Sequence, residues 1–406
     1  MVHRICAVLG LAAACWGQEW PQWRGAGRGG VAQGFVAPAA WPRELKMEWS
    51  AGVGGGFSTP AVSRDQVFVH SRVGDQEVVQ ALARGTGKEM WRAAYRAPFQ
   101  QNQYATQMGH GPHSTPVFFE DKVITLGIKG MLVCHDAKTG AVKWKKDYSA
   151  RVDSQNMFTG TAMSPLIEAG LVLVHIGDDR GGSLMAMDPA TGAVKWSWDG
   201  DGPSYASPVV AEIGGVRQVV TLALKHAVGL DARNGALLWK SPFVDQWNEN
   251  IVTPVVVGNR VVLSGVRKGT VALDVVRQGA GWTARTAWEN AEYSMYMSSP
   301  VVDGDVLYGM TNKRKGSVFA MDVKTGKVLW STPGREGTNL SLVAAGNVLF
   351  LLNETGDLKV IRRSAAKYDS VVEYKVSEEA TWAQPVVLGK NLLVKDAKTV
   401  KMYRLP

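Results

Sequence analysis

Apolar residues along this chain come in short runs separated by turn-forming glycines and aspartates, and the runs fall into groups of four. Val117-Phe118-Phe119, Val123 to Leu126, Met131 to Cys134 and Val142-Lys143-Trp144 make one such group. Runs this short, closed by Gly-containing turns, predict β-strands joined by hairpins. Four strands per unit is the plan of a propeller blade.

Two markers punctuate the groups. The first, Asp188-Pro-Ala-Thr191-Gly192-Ala-Val-Lys-Trp196, has near-copies at Asp136 to Trp144, Asp231 to Trp239 and Asp322 to Trp330. Its closing tryptophans, Trp49, Trp91, Trp144, Trp196, Trp239, Trp288 and Trp330, recur about every 42 to 53 residues, and Tyr374 takes the eighth place. The second marker is a small polar residue shortly before proline and an apolar pair, as in Ser58-Thr59-Pro60-Ala61-Val62. Its prolines are Pro60, Pro116, Pro165, Pro208, Pro254, Pro300 and Pro385, with Leu342 standing in for the missing one. Eight starts and eight ends predict an all-β, eight-bladed propeller of four-stranded antiparallel blades. Proline at a strand's first residue is tolerable because that position can spare its N–H. The chain opens on an outer-strand signal, Leu45 to Trp49, and closes on an inner one, Lys401 to Leu405. The N-terminal strand is therefore expected to complete the last blade, pairing edges that an open array would expose.

The first marker has a physical reading. Its glycine accepts the positive φ of a hairpin turn, its Asp bonds turn amides, and its Trp covers the gap between adjacent blades. Burying one such ring contributes at most about 4–6 kcal/mol.

Composition and charge then narrow the biology. Met1 to Arg4 followed by the apolar run Ile5 to Cys15 reads as a signal peptide, too short to span a bilayer. The expected organisation is a signal over 1–17, a lead-in over 18–44 and the propeller over 45–406, in an exported, periplasmic or outer-membrane-associated monomer. Leu11-Ala-Ala-Ala14-Cys15 loosely resembles a lipoprotein signal, so membrane anchoring through Cys15 is a second route. Of the three cysteines, Cys6 and Cys15 fall in or beside that signal and only Cys134 is surely mature, so no internal disulfide framework is available. The formal charge is +9, or +8 without Arg4. No basic stripe interleaved with aromatics accompanies it, which argues against a nucleic-acid partner.

The pattern Ala-x-Asp-x-x-Thr-Gly-x-x-x-Trp, at Ala186 to Trp196 and Ala320 to Trp330, resembles the tryptophan-docking motif of the PQQ-like repeat β-propellers. That family includes quinoprotein dehydrogenases and the non-catalytic lipoprotein subunit of the outer-membrane β-barrel assembly machinery. The likeness covers residues 45 to 406 and bears on fold rather than activity. Ala83 stands where Asp is expected, blade 5 carries an insertion around Gly279-Ala280-Gly281, and blade 7 loses the motif around Arg362 to Lys367. Trp20-Pro-Gln-Trp23-Arg-Gly25 resembles the lead-in of exported propellers of this group.

Catalytic signatures are sparse. Gly25-Ala-Gly27-Arg-Gly-Gly30 matches the dinucleotide fingerprint by letter, yet follows no strand and opens no helix, and is expected to be a flexible leader. His110 with His113, His175 with Asp178 and Asp179, and Asp199 with Asp201 are the best local ligand sets. Each lacks a convincing third or fourth ligand, so no metal is expected. A propeller gathers function at its channel mouth, and the third position before each marker proline samples that mouth once per blade: Phe57, His113, Ala162, Tyr205, Ile251, Met297, Asn339 and Trp382. Tyr104, Phe158, Trp247, Tyr293 and Tyr296 lie nearby in sequence. Aromatic and sulfur side chains beside a few polar groups suit a binding surface, or a plug of the channel. The leading expectation is a non-enzymatic scaffold for an envelope protein or extended peptide, without a cofactor. The alternative is a PQQ- and calcium-dependent alcohol or sugar dehydrogenase using Asp178, Asp201 and Trp382, although the adjacent cysteines of such enzymes are missing. A carbohydrate-binding or sensor module is a third reading.

Overall fold

Eight antiparallel sheets, one for each pair of sequence markers, form a ring around a central axis in the computed structural model. It describes residues 19–153, 157–244 and 249–406; the proposed signal, with Cys6 and Cys15, and Trp247 fall outside them. Blade 1 runs from strand Ala61–Val62 to Glu89–Arg96, blade 2 from Val117–Phe119 to Val142–Asp147, and blade 3 from Leu166–Glu168 to Val194–Trp198. Blade 4 runs from Val209–Ile213 to Leu237–Pro242, blade 5 from Val255–Val257 to Gly281–Asn290, and blade 6 from Val301–Asp303 to Val328–Ser331. Blade 7 spans Leu340–Ala345 to Ser370–Lys375, and blade 8 begins at Val386–Leu388. Only short 3-10 turns, and no α-helix, occur among the described residues.

Closure follows the sequence expectation. Strand Lys46–Gly52 pairs antiparallel with Thr399–Arg404, supplying the outer strand of blade 8, with Trp49 opposite Met402. The middle strands of each blade are almost wholly buried, and the apolar clusters lie between neighbouring sheets. No single core forms, because each blade buries its faces only against the next.

The tryptophans mark most of those junctions. Trp49, Trp91, Trp144 and Trp288 each donate their indole N–H to a carbonyl in the following blade, of Arg84, Ala137, Pro189 and Val323, at 2.8–2.9 Å. The same rings rest on the turn glycines Gly87, Gly140, Gly192 and Gly326. Trp196 rests on Gly235, its N–H without a partner among the described residues. Trp239 departs from the pattern: its N–H donates to Gln218 of its own blade at 2.7 Å. Blade 5 offers no motif glycine to receive it, because its insertion lengthens the hairpin to strands Gly269–Gln278 and Gly281–Asn290. Trp282 on that hairpin lies against Gly214 of blade 4 instead. In blade 7, which lost the motif, Trp330 still finds the Ser364 carbonyl at 2.8 Å. Tyr374, at the eighth position, donates to the Pro42 carbonyl at 3.0 Å.

The flexible leader expected for the glycine-rich start is corrected by the structure. Residues 19–32 enter the ring and run along the inner strands. Trp20 bridges Val62 of blade 1, the Pro21 carbonyl accepts from Phe118 of blade 2, and Val31–Ala32 adds a parallel fifth strand to blade 7. Arg28 donates to the Ser164 and Pro165 carbonyls of blade 3, and Arg24 to the Ser299 and Pro300 carbonyls of blade 6. Both guanidiniums are buried, which pushes each down to about 9, still charged at neutral pH. Buried carbonyls need donors, and five N–H groups on a rigid fork supply them where no water column is needed.

A Cβ on Gly326 would sit 2.4 Å from the Trp288 ring, at a φ of +70°. Gly326→Ala is therefore expected to lower stability by ~2–4 kcal/mol, strain and overpacking together. Gly304, with φ +56° and nothing within 4 Å, should lose only ~1–2 kcal/mol on the same change. Urea unfolding of both variants tests this; equal losses would show that the ring contact contributes nothing.

Candidate functional site

All eight third-before-proline residues line one cavity on the axis, of about 150 Å³. Phe57, His113, Ala162, Tyr205, Ile251, Met297, Asn339 and Trp382 form its wall, joined by Phe158, Thr159, Glu249 and Tyr296. Trp23, from the N-terminal segment, makes part of the lining from below and donates its indole N–H to Thr253 at 3.1 Å. The channel is thereby a blind cup. Tyr104 lies elsewhere, 74% exposed on a 3-10 turn between blades 1 and 2. Tyr293 packs edge-on against Phe319 at 5.0 Å and does not line the cup.

Residue spacing brings these side chains together because each sits where the chain leaves one blade's outer strand and enters the next blade's inner strand. The small polar residue of the second marker fixes the spacing. The Gln384 N–H donates to the Thr59 hydroxyl, Thr59 N–H to Thr115, Thr115 N–H to Ser164 and Ser164 N–H to Ser207, at 2.9–3.3 Å. Thr253 N–H repeats the bond to Ser299 at 3.1 Å. Each hydroxyl thus ties its blade to the one before, and Ser164, Ser207, Thr253 and Ser299 of this belt also line the cup. Above this belt, the Pro112 carbonyl accepts from both Phe57 and Ser58, and the Asn250 carbonyl from both Tyr205 and Ala206. Asn250 is itself pinned by three donations to the Ala223, Leu224 and Phe243 carbonyls. Lys395, buried in blade 8, donates to the Gly56 carbonyl at 2.5 Å, and burial lowers its ammonium to about 8.

The wall is chemically lopsided. Trp382 stacks on Phe57 with centroids 5.3 Å apart, and Phe57 meets His113 at the same distance. Across from them Tyr296 donates to the Glu249 carboxylate at 2.8 Å. Burial, then the nearby Glu249 charge, pushes the Tyr205 phenol well above its ordinary range. Burial also lowers the His113 imidazole to about 4, against the opposing pull of Glu77 and the Thr159 backbone. It is neutral at pH 7, with Nε2 buried and unpartnered among the described residues. No Lys or Arg side chain is among the described residues of the wall.

The remaining candidates serve local structure. His175 bonds the Asp201 carbonyl at 3.1 Å, Asp178 is held by Arg180, and Asp201 accepts from His226 Nδ1 at 2.9 Å. Neither aspartate joins Trp382 in the cup. Among the described residues no three His, Cys, Asp or Glu side chains are grouped to hold a metal. Cys134 is buried, and burial pushes its thiol up to about 12.

Comparison with known proteins places this geometry. Residues 74–332 match the family model described as outer membrane protein assembly factor BamB. The BamB of Yersinia pestis is 23% identical over 373 residues, which cover 85% of each chain. Among solved structures, BamB from Moraxella catarrhalis superposes with a TM-score of 0.64 at 17% identity, over 89% of this chain and 98% of its own. Quinohemoprotein alcohol dehydrogenase from Comamonas testosteroni superposes at 0.70 with 15% identity, over 97% of this chain and 82% of its own. At such identities these two structures establish the shared fold alone. The cup does not suit a pyrroloquinoline quinone: a cavity near 150 Å³ holds about one benzene. A tricarboxylate would face the Glu249 carboxylate there, with no Lys or Arg among the described wall residues to pair with it.

The lowered His113 and His175, each to about 4, predict an acid-labile fold. The unfolded chain protonates its histidines near 6.5 while the folded one resists until about 4. The stabilisation is therefore complete above pH 6.5 and is lost as pH falls toward 4. Between pH 7 and pH 5 urea unfolding should register a loss of about 1–2 kcal/mol per imidazole. His113→Asn should shrink the pH dependence, and an unchanged slope would assign it to other groups.

Proposed function

The chain belongs to the outer membrane protein assembly factor BamB family, and from that premise we propose that it is an exported, non-enzymatic propeller that holds an envelope protein or extended peptide at its channel mouth. The observation that carries this reading is the blind, aromatic-walled cup built from one residue per blade. Apolar walls with a few fixed polar groups are what a protruding side chain of a bound segment requires. Rigid loops around such a cup can grip the flanking main chain. A signal over 1–17 would deliver the chain to the envelope, and lipidation of Cys15 would tether it to a membrane surface. Trp382, Phe57, Tyr205, Met297 and Tyr296 are the proposed contact residues, with His113 and Asn339 as polar partners.

Photo-crosslinking from position 297 in the cell envelope should capture a defined partner. Trp382→Ala should cut that capture at least fivefold while the melting temperature stays within a few degrees. A thermal shift with PQQ and Ca²⁺, accompanied by dye-linked alcohol or aldose oxidation, would overturn the reading in favour of a dehydrogenase.

A further inference from the structure

Every inner strand leaves one edge facing the axis, and what covers that edge differs from blade to blade. The residue two places after each marker proline, or after Leu342 in blade 7, forms a non-hydrogen-bonded pair with the blade's second strand, so its N–H and C=O both point at the axis. The lead-in covers these groups in blades 1, 2, 3 and 7. Val62 and Trp20 exchange bonds in both directions at 2.8 Å, while Phe118 N–H reaches the Pro21 carbonyl, Ile167 N–H the Gln22 side chain and Ala344 N–H the Gly30 carbonyl. Val387 of blade 8 is buried beside Trp20. Val210, Val256 and Val302, in blades 4, 5 and 6, have no such cap among the described residues and are only half-buried.

Those three valines line one vestibule of about 230 Å³, further along the inner strands than the cup and sharing no wall residue with it. The lead-in, whose Trp23 floors the cup, closes the vestibule on that side through Arg24 and Gly27 to Gly29. The space is apolar yet not electrically neutral. Arg24 and Arg28 border it, both buried and charged, and their bonds go to carbonyl and amide oxygens, none of them a carboxylate. No Asp or Glu is among the described wall residues. At low dielectric such charges act on a neighbouring group without touching it.

We propose that the vestibule receives the C-terminal tail of another polypeptide, a few small apolar residues ending in a free α-carboxylate. An edge that offers N–H and C=O together is answered by a peptide group, as Trp20 answers Val62 in the same ring. Inner strands run away from the cup, so a tail pushing its end toward the lead-in lies antiparallel to them, the direction Trp20 takes against Val62. Valine walls suit small aliphatic side chains. A blind inner end calls for a chain terminus, and two cations without a carboxylate partner select the carboxyl terminus over the amino one. Nothing in this site depends on the reading of the cup.

The test titrates the full mature chain at pH 7.5 by calorimetry with acetyl-Gly-Ala-Val-Val as the free acid, as its C-terminal amide and N-methylated at both valines, and with sodium isovalerate. The free acid should saturate one site, at least tenfold more tightly than either altered peptide. A Cβ on the exposed Gly27 meets nothing within 4 Å, so Gly27→Phe should fill the vestibule and weaken the free acid at least tenfold with the melting temperature retained. If that variant unfolds, the peptide series on the unaltered chain decides alone. An amide that binds as tightly as the acid, or no saturable binding of the acid, would overturn the proposal. Isovalerate binding as tightly as the peptide would overturn a polypeptide tail as the source. Should the acid fail to bind while crosslinking from position 297 still captures a partner, this inference falls and the scaffold reading stands; the reverse pair of results removes the scaffold reading alone.

Discussion

Eight inner strands meeting around one axis leave main-chain oxygens pointing at a space too narrow to solvate freely, and donors must come from the protein itself. Arg24 and Arg28 meet that demand. Their guanidiniums reach two separate blades, 6 and 3, and bond carbonyls there rather than any carboxylate. Burying a charge without a counter-ion is costly, and multiple carbonyl dipoles are what offset the cost here. The N-terminal segment is therefore structural filling as much as a lead into the first blade.

That filling changes what the axis can do. An unfilled propeller has a tunnel; this one has a cavity with a floor, in which Trp23 is both lining and anchor. The belt of serine and threonine hydroxyls just below holds adjacent blades at a fixed spacing, so the wall residues above are presented by rigid backbone. Repetition supplies the frame, and the departures from repetition supply the chemistry. Eight equivalent positions carry eight different choices, and the aromatic arc on one side faces a carboxylate on the other.

Much of the frame was legible because it is periodic. The proline marker and the tryptophan marker each recur once per blade, so counting them gave the ring, its closure by residues 46–52, and the set of side chains that line the cup. What escaped were features with no period. Gly25 to Gly30 contain no apolar run, and nothing in their letters reveals that Arg24 and Arg28 are buried. Glu249 lacks an equivalent in other blades, and only the folded ring brings it beside the Tyr296 phenol. Trp239 looked like its siblings, yet its orientation depends on the next blade, where the lengthened hairpin removed its receiving glycine. The neutral state of His113 is likewise a property of its surroundings and not of its neighbours in sequence. Two further signals lie in plain view in the sequence: Trp23 in the lead-in, and the serine or threonine directly before six of the seven marker prolines, Pro385 following Gln384 instead.

Pairing of residues 46–52 with 399–404 sets the order of events for a nascent chain. Strand 46–52 has no sheet neighbour until the last strand emerges, strand Val31–Ala32 must wait for blade 7, and Arg24 and Arg28 bond carbonyls that lie over a hundred residues downstream. Blades can stack progressively as they leave the ribosome or a translocon, but the seam and the axis can be sealed only at the end. The seam therefore joins the two ends of the chain, and a truncation at either end would leave a blade 8 edge unpaired.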